Sequence, residues 1–253
     1  MDLVLGLHQL EVPFSFSIPT HNRLGNEIKR IGLFTSGGID SSALLCLIMS
    51  ELKATNRLDT IPVVALTIVK GEGSTFYASR VVEQVSKHFG VKIEHQNNIP
   101  NNEPAYSFGR ISRVSIEDVY ENNKYDMDIY QANNRMAPDD IRPFSQTLKI
   151  FYPDEQVLYK APFLNLHKPQ IMDLYYKLGC EDIIPYTHSC TVLALGKCNK
   201  CYSCKEREWG FDALGRYYID TIPPEIEDIS YGGTWANPAF PVPETTVYPA
   251  NKI

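Results

Sequence analysis

The 253-residue sequence has no run approaching eighteen consecutive apolar residues, which removes a membrane-spanning helix from the readings open to it. It has no excess of positive charge either. Its 24 Lys and Arg stand against 30 Asp and Glu, a formal net charge of −6, and this balance argues against a large nucleic-acid footprint built on clustered cations. The opening stretch MDLVLGLHQLEVPF has no basic region ahead of its short apolar run and carries Asp2 and Glu11, so it does not read as a secretory signal, and the expected location is cytoplasmic. There is no internal repeat. Neither the Gly-Lys-Ser/Thr phosphate loop nor the G-x-G-x-x-G dinucleotide fingerprint occurs. The composition, 43% hydrophobic and 21% charged, is not that of a disordered chain. At this length one α/β domain with a sizeable core is expected, not two.

What is present is an alternation of short apolar runs with amphipathic stretches. Residues 31–35 (IGLFT) fit a buried parallel strand, and from Ser41 to Leu52 the apolar residues recur at helical spacing. Residues 62–69 predict a second strand, Lys70–Thr75 a polar turn, Phe76–Phe89 a helix closed by Gly90, and 91–96 a third strand. Beyond a loop over 97–108, Ile111–Glu121 reads as a helix, Tyr125–Ala132 as a strand, and Pro169–Leu178 as a helix ended by Gly179. The pattern is that of an α/β, doubly wound, mostly parallel sheet, whose ligand site belongs at the carboxyl ends of its strands. The division expected is an N-terminal extension over 1–29, a nucleotide-binding α/β domain over 30–180, a small metal-binding part over 181–220, and a Pro- and Tyr-rich tail over 221–253.

Between the first strand and its helix stands Ser36-Gly37-Gly38-Ile39-Asp40-Ser41-Ser42. The glycines let the main chain approach a phosphate, the hydroxyls can donate to its oxygens, and the helix N-terminus adds free N–H groups. Asp40 would repel a bare anion, so its presence points to a nucleotide bound with magnesium. A tight strand-to-helix turn with Asp40 or Ser41 as N-cap is the structural alternative.

Six cysteines are present, and Cys190, Cys198, Cys201 and Cys204 crowd into fifteen positions. Without an export signal a disulfide framework is disfavoured, and two overlapping C-x-x-C units with one upstream thiolate supply the four sulfurs of a closed structural zinc site. Redox thiols or an iron–sulfur cluster are the other uses of such thiols. His188 lies near enough to substitute as a ligand, but a complete four-cysteine set makes it a bystander. Cys46 and Cys180 stand alone and read as small buried apolar residues.

The Ser36–Ser42 stretch resembles the SGGxDS loop of the PP-loop ATP pyrophosphatases, which bind the pyrophosphate of ATP and transfer AMP to a substrate oxygen. Together with the late cysteine cluster and the following Arg207, Gly210 and Phe211, the chain resembles the 7-cyano-7-deazaguanine synthase (QueC) family over roughly residues 30–215. Phe108-Gly109-Arg110 is similar to that family's Pro-Gly-Arg-Asn element, and Ala161-Pro162-Phe163-Leu164 with Lys168 to its Thr-Pro-Leu segment and following lysine. The sequence departs from the family where the substrate base should be read: Ile111 replaces the Asn, Val69–Gly73 replaces an aromatic-Gly-Gln element, and residues 126–138 lack its Gly-x-x-x-x-Asp stretch.

The resemblance implies an adenine nucleotide alpha hydrolase-like fold, and an ATP-dependent ligase that turns 7-carboxy-7-deazaguanine and ammonia into 7-cyano-7-deazaguanine. It implies nucleotide contacts from Ser36, Gly37, Gly38, Ile39, Asp40, Ser41, Ser42 and Thr67, catalytic roles for Asp40, Lys168 and Arg110, a structural Zn2+ on Cys190, Cys198, Cys201 and Cys204, Mg2+ with ATP, and a homodimer. Lys168 and Arg110 could instead be solvated surface charges. A PP-loop enzyme acting on another nucleobase or on tRNA, of thiolase or amidotransferase type, is the nearest alternative. A nucleotide-binding or protein-interaction module without chemistry is the other.

Overall fold

The structure is a computed structural model that describes residues 1–68, 74–98, 108–138, 158–193 and 195–222, with the backbone alone described at 74–75, 98 and 108–114. Residues 70–73 of the turn expected over Lys70–Thr75, the element Val69–Gly73, most of the 97–108 loop and nearly all of the 221–253 tail fall outside the described residues.

Four parallel strands form the central sheet: β3 (Arg30–Phe34), β4 (Val63–Ile68), β5 (Glu94–Asn98) and β6 (Met127–Gln131), in the spatial order β5-β4-β3-β6. β3 is central, with Ile31 opposite Val63 on one side and Asp128 on the other. Side chains alternate across the sheet as the strand period of two requires. Ile31, Leu33, Val63 and Ala65 join the larger core beneath α1 (Ile39–Ala54) and α2 (Ser74–Phe89), while Phe34, Val64, Leu66, Met127 and Ile129 meet Ile116 and Val119 of α3 (Phe108–Asn123) on the opposite face. Helices on both faces of a parallel sheet make the doubly wound arrangement expected from the sequence.

α1 is buried nearly all round, because it lies between the sheet and α4 (Lys168–Leu178), which in turn packs on α5 (Tyr202–Ala213). α4 ends where its sequence says it should: Gly179 takes a left-handed conformation and its N–H turns back to the carbonyls of Tyr175 and Tyr176.

Several boundaries differ from the sequence reading, among them the start of α2, at Ser74 and not Phe76. The strand expected at 91–96 occupies Glu94–Asn98, since Val91 is still engaged in closing α2, its N–H donating to the Ser86 carbonyl at 3.1 Å. Phe108, placed in a loop by the sequence, begins α3.

The first thirty residues are packed into the domain. β1 (Asp2–Leu5) and β2 (Val12–Ser15) form an antiparallel hairpin whose Leu5 and Phe14, with Phe16 and Ile18 just beyond, enter the main core. Phe14 meets Phe163 and Phe16 meets Tyr130 in tilted and edge-on contacts. The Gly6 N–H donates to the Asp173 carboxylate of α4 at 3.0 Å.

Candidate active site and metal centre

The Ser36–Ser42 loop lies at the carboxyl end of the central strand, where a doubly wound sheet places its ligand. Gly37 has a φ of +71°, and a Cβ there would come within 2.3 Å of the Tyr77 carbonyl carbon and 2.4 Å of the Ala78 nitrogen. Only glycine fits both the torsion and the space. The Gly37 carbonyl accepts the His188 N–H at 2.9 Å, so α2 and the 187–189 segment grip the loop together.

The hydroxyls divide by role. Ser41 and Ser42 are buried and hold the loop's shape. Ser41 Oγ accepts the Ser36 N–H at 3.2 Å and donates to the Gly38 carbonyl, to which Ser42 Oγ also donates at 2.8 Å. Ser36 is exposed and, with Gly38, Ile39 and Asp40, lines a cavity of about 310 Å³. Thr67, expected to contact the nucleotide, is fully buried and does not line that cavity. Its hydroxyl donates to the Thr35 carbonyl at 2.9 Å and meets His95 Nε2 at 2.8 Å, so it supports the loop from below. Burial lowers the His95 pKa, as expected for a ring held neutral in this hydrogen-bonded chain.

Lys168 is the first residue of α4 and only 3% exposed, unlike the solvated lysine the sequence left open. Its ammonium lies 2.5 Å from Asp40 and 3.1 Å from Glu206. Burial pulls the Lys168 pKa down, but the two carboxylates more than offset it, and the pKa stands above the ordinary lysine value. Glu206 Oε1 also accepts hydrogen bonds from the Tyr202 hydroxyl at 2.7 Å and Asn134 Nδ2 at 3.2 Å. Arg110 lies in the first turn of α3, and its side chain is outside the described residues.

The first turns of three helices face this one cavity: Ile39 and Asp40 of α1, Lys168 of α4, and Tyr202 and Ser203 of α5 all line it. The partial positive charge of a helix N-terminus favours an anion there, whereas Asp40 and Glu206 oppose a bare one. An anion carried with a cation resolves that conflict.

Cys190 of the cysteine cluster also lines the cavity. The sulfurs of Cys190, Cys198, Cys201 and Cys204 all lie within 4.8 Å of one another. The N–H groups of Leu193 and Cys201 point at the sulfurs of Cys190 and Cys198, each at 3.2 Å. Asn199 takes the left-handed φ of 56° that the tight Cys198–Cys201 turn requires. Burial raises the Cys190 thiol. At Cys198 the slight burial is outweighed by the N–H groups of Lys200 and Cys201, which bring the pKa down to about 6.

His188 is not part of the set. Its ring stacks on Tyr77 at 4.2 Å and its Nε2 meets the Leu193 carbonyl at 2.9 Å. Arg207 is buried too, with its guanidinium spanning Thr187, Ile184 and Ile219. It thereby fixes the segment that carries His188 and Ser189 to the cavity.

Sequence reasoning missed Glu206, Tyr202 and Tyr77. Glu206 stands in the charged run Lys205-Glu206-Arg207-Glu208, which reads as a solvated helix face. Its one signal in the sequence is its position on the helix that leaves the last cysteine.

A glycine-rich strand-loop-helix turn and a four-cysteine cluster whose Cys190 lines the same cavity are the arrangement these elements define. The model of the family described as queuosine biosynthesis protein QueC matches residues 116–215, from within α3 to just past α5. The resemblance to QueC is thereby shown over the segment that holds Lys168 and all four clustered cysteines. A comparison with curated proteins finds no match. Among solved structures the chain is similar to the U34-tRNA thiolase NcsA from Methanococcus maripaludis with its 4Fe-4S cluster, at 17% identity and a TM-score of 0.39 over 64% of this chain and 58% of that one. The chain thus spans less than two thirds of that protein's length. Among the described residues, no helix is long and apolar enough to cross a membrane.

Proposed function

We propose that this chain is an ATP-dependent enzyme of the QueC type, which adenylates a carboxylate oxygen of a 7-deazapurine and replaces it with ammonia nitrogen. The observation that carries the reading is the Lys168 ammonium held beside the nucleotide loop, over a cavity ringed by three helix N-termini. In this reading the N–H groups of Gly38 and Ile39 and the Ser36 hydroxyl hold the pyrophosphate of ATP, and Lys168 stabilises charge at the α-phosphate. Arg110 is proposed to act beside Lys168. Magnesium, when bound, would neutralise the phosphates, and Asp40 is the loop carboxylate that would hold it.

A carboxylate is a poor electrophile until its oxygen becomes a good leaving group. Attack of the 7-carboxylate oxygen on the α-phosphorus breaks the α–β bridge and releases pyrophosphate. Ammonia then adds to the acyl carbon, loses a proton, and expels AMP to give the amide. Adenylation of the amide oxygen by a second ATP releases pyrophosphate again, and loss of AMP and of both N–H protons gives the nitrile. The cavity must keep water from the acyl adenylate, which ammonia and water would otherwise compete to attack.

The four thiolates suit one zinc ion in a structural role. A tetrahedral ion with Zn–S bonds of about 2.3 Å draws its sulfurs into the close grouping seen here, whereas a four-iron cube holds them farther apart. All four positions are taken by protein, so no step of the chemistry is assigned to the metal.

The test is mass spectrometry of the products after incubation with ATP, magnesium, ammonium and 7-carboxy-7-deazaguanine. A nitrile with AMP supports the full reaction, and an amide alone indicates that it stops halfway. ATP left intact beside every deazapurine carboxylate offered would refute the reading and favour another acceptor or a binding role.

A further inference from the structure

We propose that Glu206 is a positioning residue for Lys168, transmitting the geometry of the cysteine cluster into the nucleotide site; this rests on the nucleotide-binding reading of the cavity. The two carboxylates on the lysine are not equivalent. Asp40 belongs to the nucleotide loop and its side chain is 25% exposed, whereas that of Glu206 is 6% exposed. Glu206 is anchored from three directions: by Lys168 of α4, by Tyr202 one turn earlier on α5, and by Asn134 from the segment after β6. Tyr202 is itself fixed, since its hydroxyl also accepts the Ala137 N–H at 3.0 Å.

Two carboxylates on one ammonium leave the group with a net negative charge, in a cavity that must admit a polyphosphate. An entering phosphate competes with Asp40 for the ammonium, and Glu206 is the partner that stays. It then keeps the buried Lys168 ammonium paired and aimed at the cavity. Its own place is set by the cysteine cluster. Cys201 is the N-cap of α5 and Cys204 lies in its first turn, so the four sulfurs fix the start of the helix on which Glu206 sits in the second turn.

The experiment is a double-mutant cycle read by calorimetric titration with Mg·ATP, on Glu206→Gln, Lys168→Met and the double variant, with zinc content measured on each. Glu206→Gln is expected to retain its metal and to bind Mg·ATP about tenfold more weakly, the size of coupling usual for groups in one buried network. In the Lys168→Met background the same substitution should change affinity less than about twofold, because the group it positions is gone. Unchanged affinity in Glu206→Gln, or an equal fold-change in both backgrounds, overturns the proposal, since a residue needed only for folding would act regardless of Lys168. Should Glu206→Gln not fold, Tyr202→Phe removes an anchoring hydroxyl without touching the charge. It should weaken Mg·ATP about threefold with zinc retained, by loss of one buried hydrogen bond, and wild-type affinity there also overturns the proposal. Absence of Mg·ATP binding by the unmodified protein is a different result, which removes the nucleotide reading itself and this inference with it.

Discussion

Replacing Gly37 with alanine separates two physical demands that the nucleotide loop makes on one residue. The first is torsional: at φ +71° an L-residue is strained by about 1 kcal/mol or somewhat more. The second is spatial. The added methyl would lie 2.3 Å from the Tyr77 carbonyl carbon and 2.4 Å from the Ala78 nitrogen, both of them backbone, so the loop or α2 has to move. Overpacking of this kind costs about 1–3 kcal/mol, giving about 2–4 kcal/mol in all. Gly90 is the control, since its φ is +70° and an added methyl would meet nothing within 4 Å, so Gly90→Ala should lose only the torsional part, about 1 kcal/mol. Gly38→Ala is a second control. Its φ is −78° and its methyl would meet the movable Ser36 hydroxyl at 3.2 Å, so little stability should be lost. Urea unfolding followed by circular dichroism gives the three midpoints. Equal losses for Gly37→Ala and Gly90→Ala would refute the claim that α2 packs against the loop too closely for a side chain.

Lys168→Met removes the cation between the buried Glu206 and the partly exposed Asp40 and should cost about 3–5 kcal/mol at neutral pH, in addition to any loss of turnover. Because the folded-state pKa of Lys168 is raised, its contribution is complete below the unfolded value of about 10.4 and is lost as pH rises through the folded value. Stability of the unmodified protein should therefore fall in strong alkali more steeply than that of Lys168→Met, as urea midpoints from pH 7 to 11 will show. Cys201→Ser should abolish zinc retention and lower the melting temperature by at least about 10 °C, because the ion's binding energy is folding energy. Full zinc content by plasma emission spectroscopy in that variant would remove Cys201 from the ligand set.

The order of the α/β elements, the glycine turn at Ser36–Ser42 and the four clustered cysteines were legible in the sequence. Each of these is carried by neighbouring residues: strand and helix periods, glycines whose torsions a turn demands, and thiols spaced to meet on one ion. The N-terminal hairpin is not legible in the sequence, which offers only an N-terminal extension, because two short strands have no core until α4 and Phe163 supply one. Only long-range packing shows that Thr67 is buried with its hydroxyl on the Thr35 carbonyl, that Ser41 and Ser42 turn inward, and that Lys168 is buried between Asp40 and Glu206. Asp40 and Lys168 are 128 residues apart, and Glu206 lies 38 beyond Lys168. No local pattern encodes such a meeting. It arises because α4 packs between α1 and α5 and brings three helix starts to one cavity, where burial makes every charge depend on its partners.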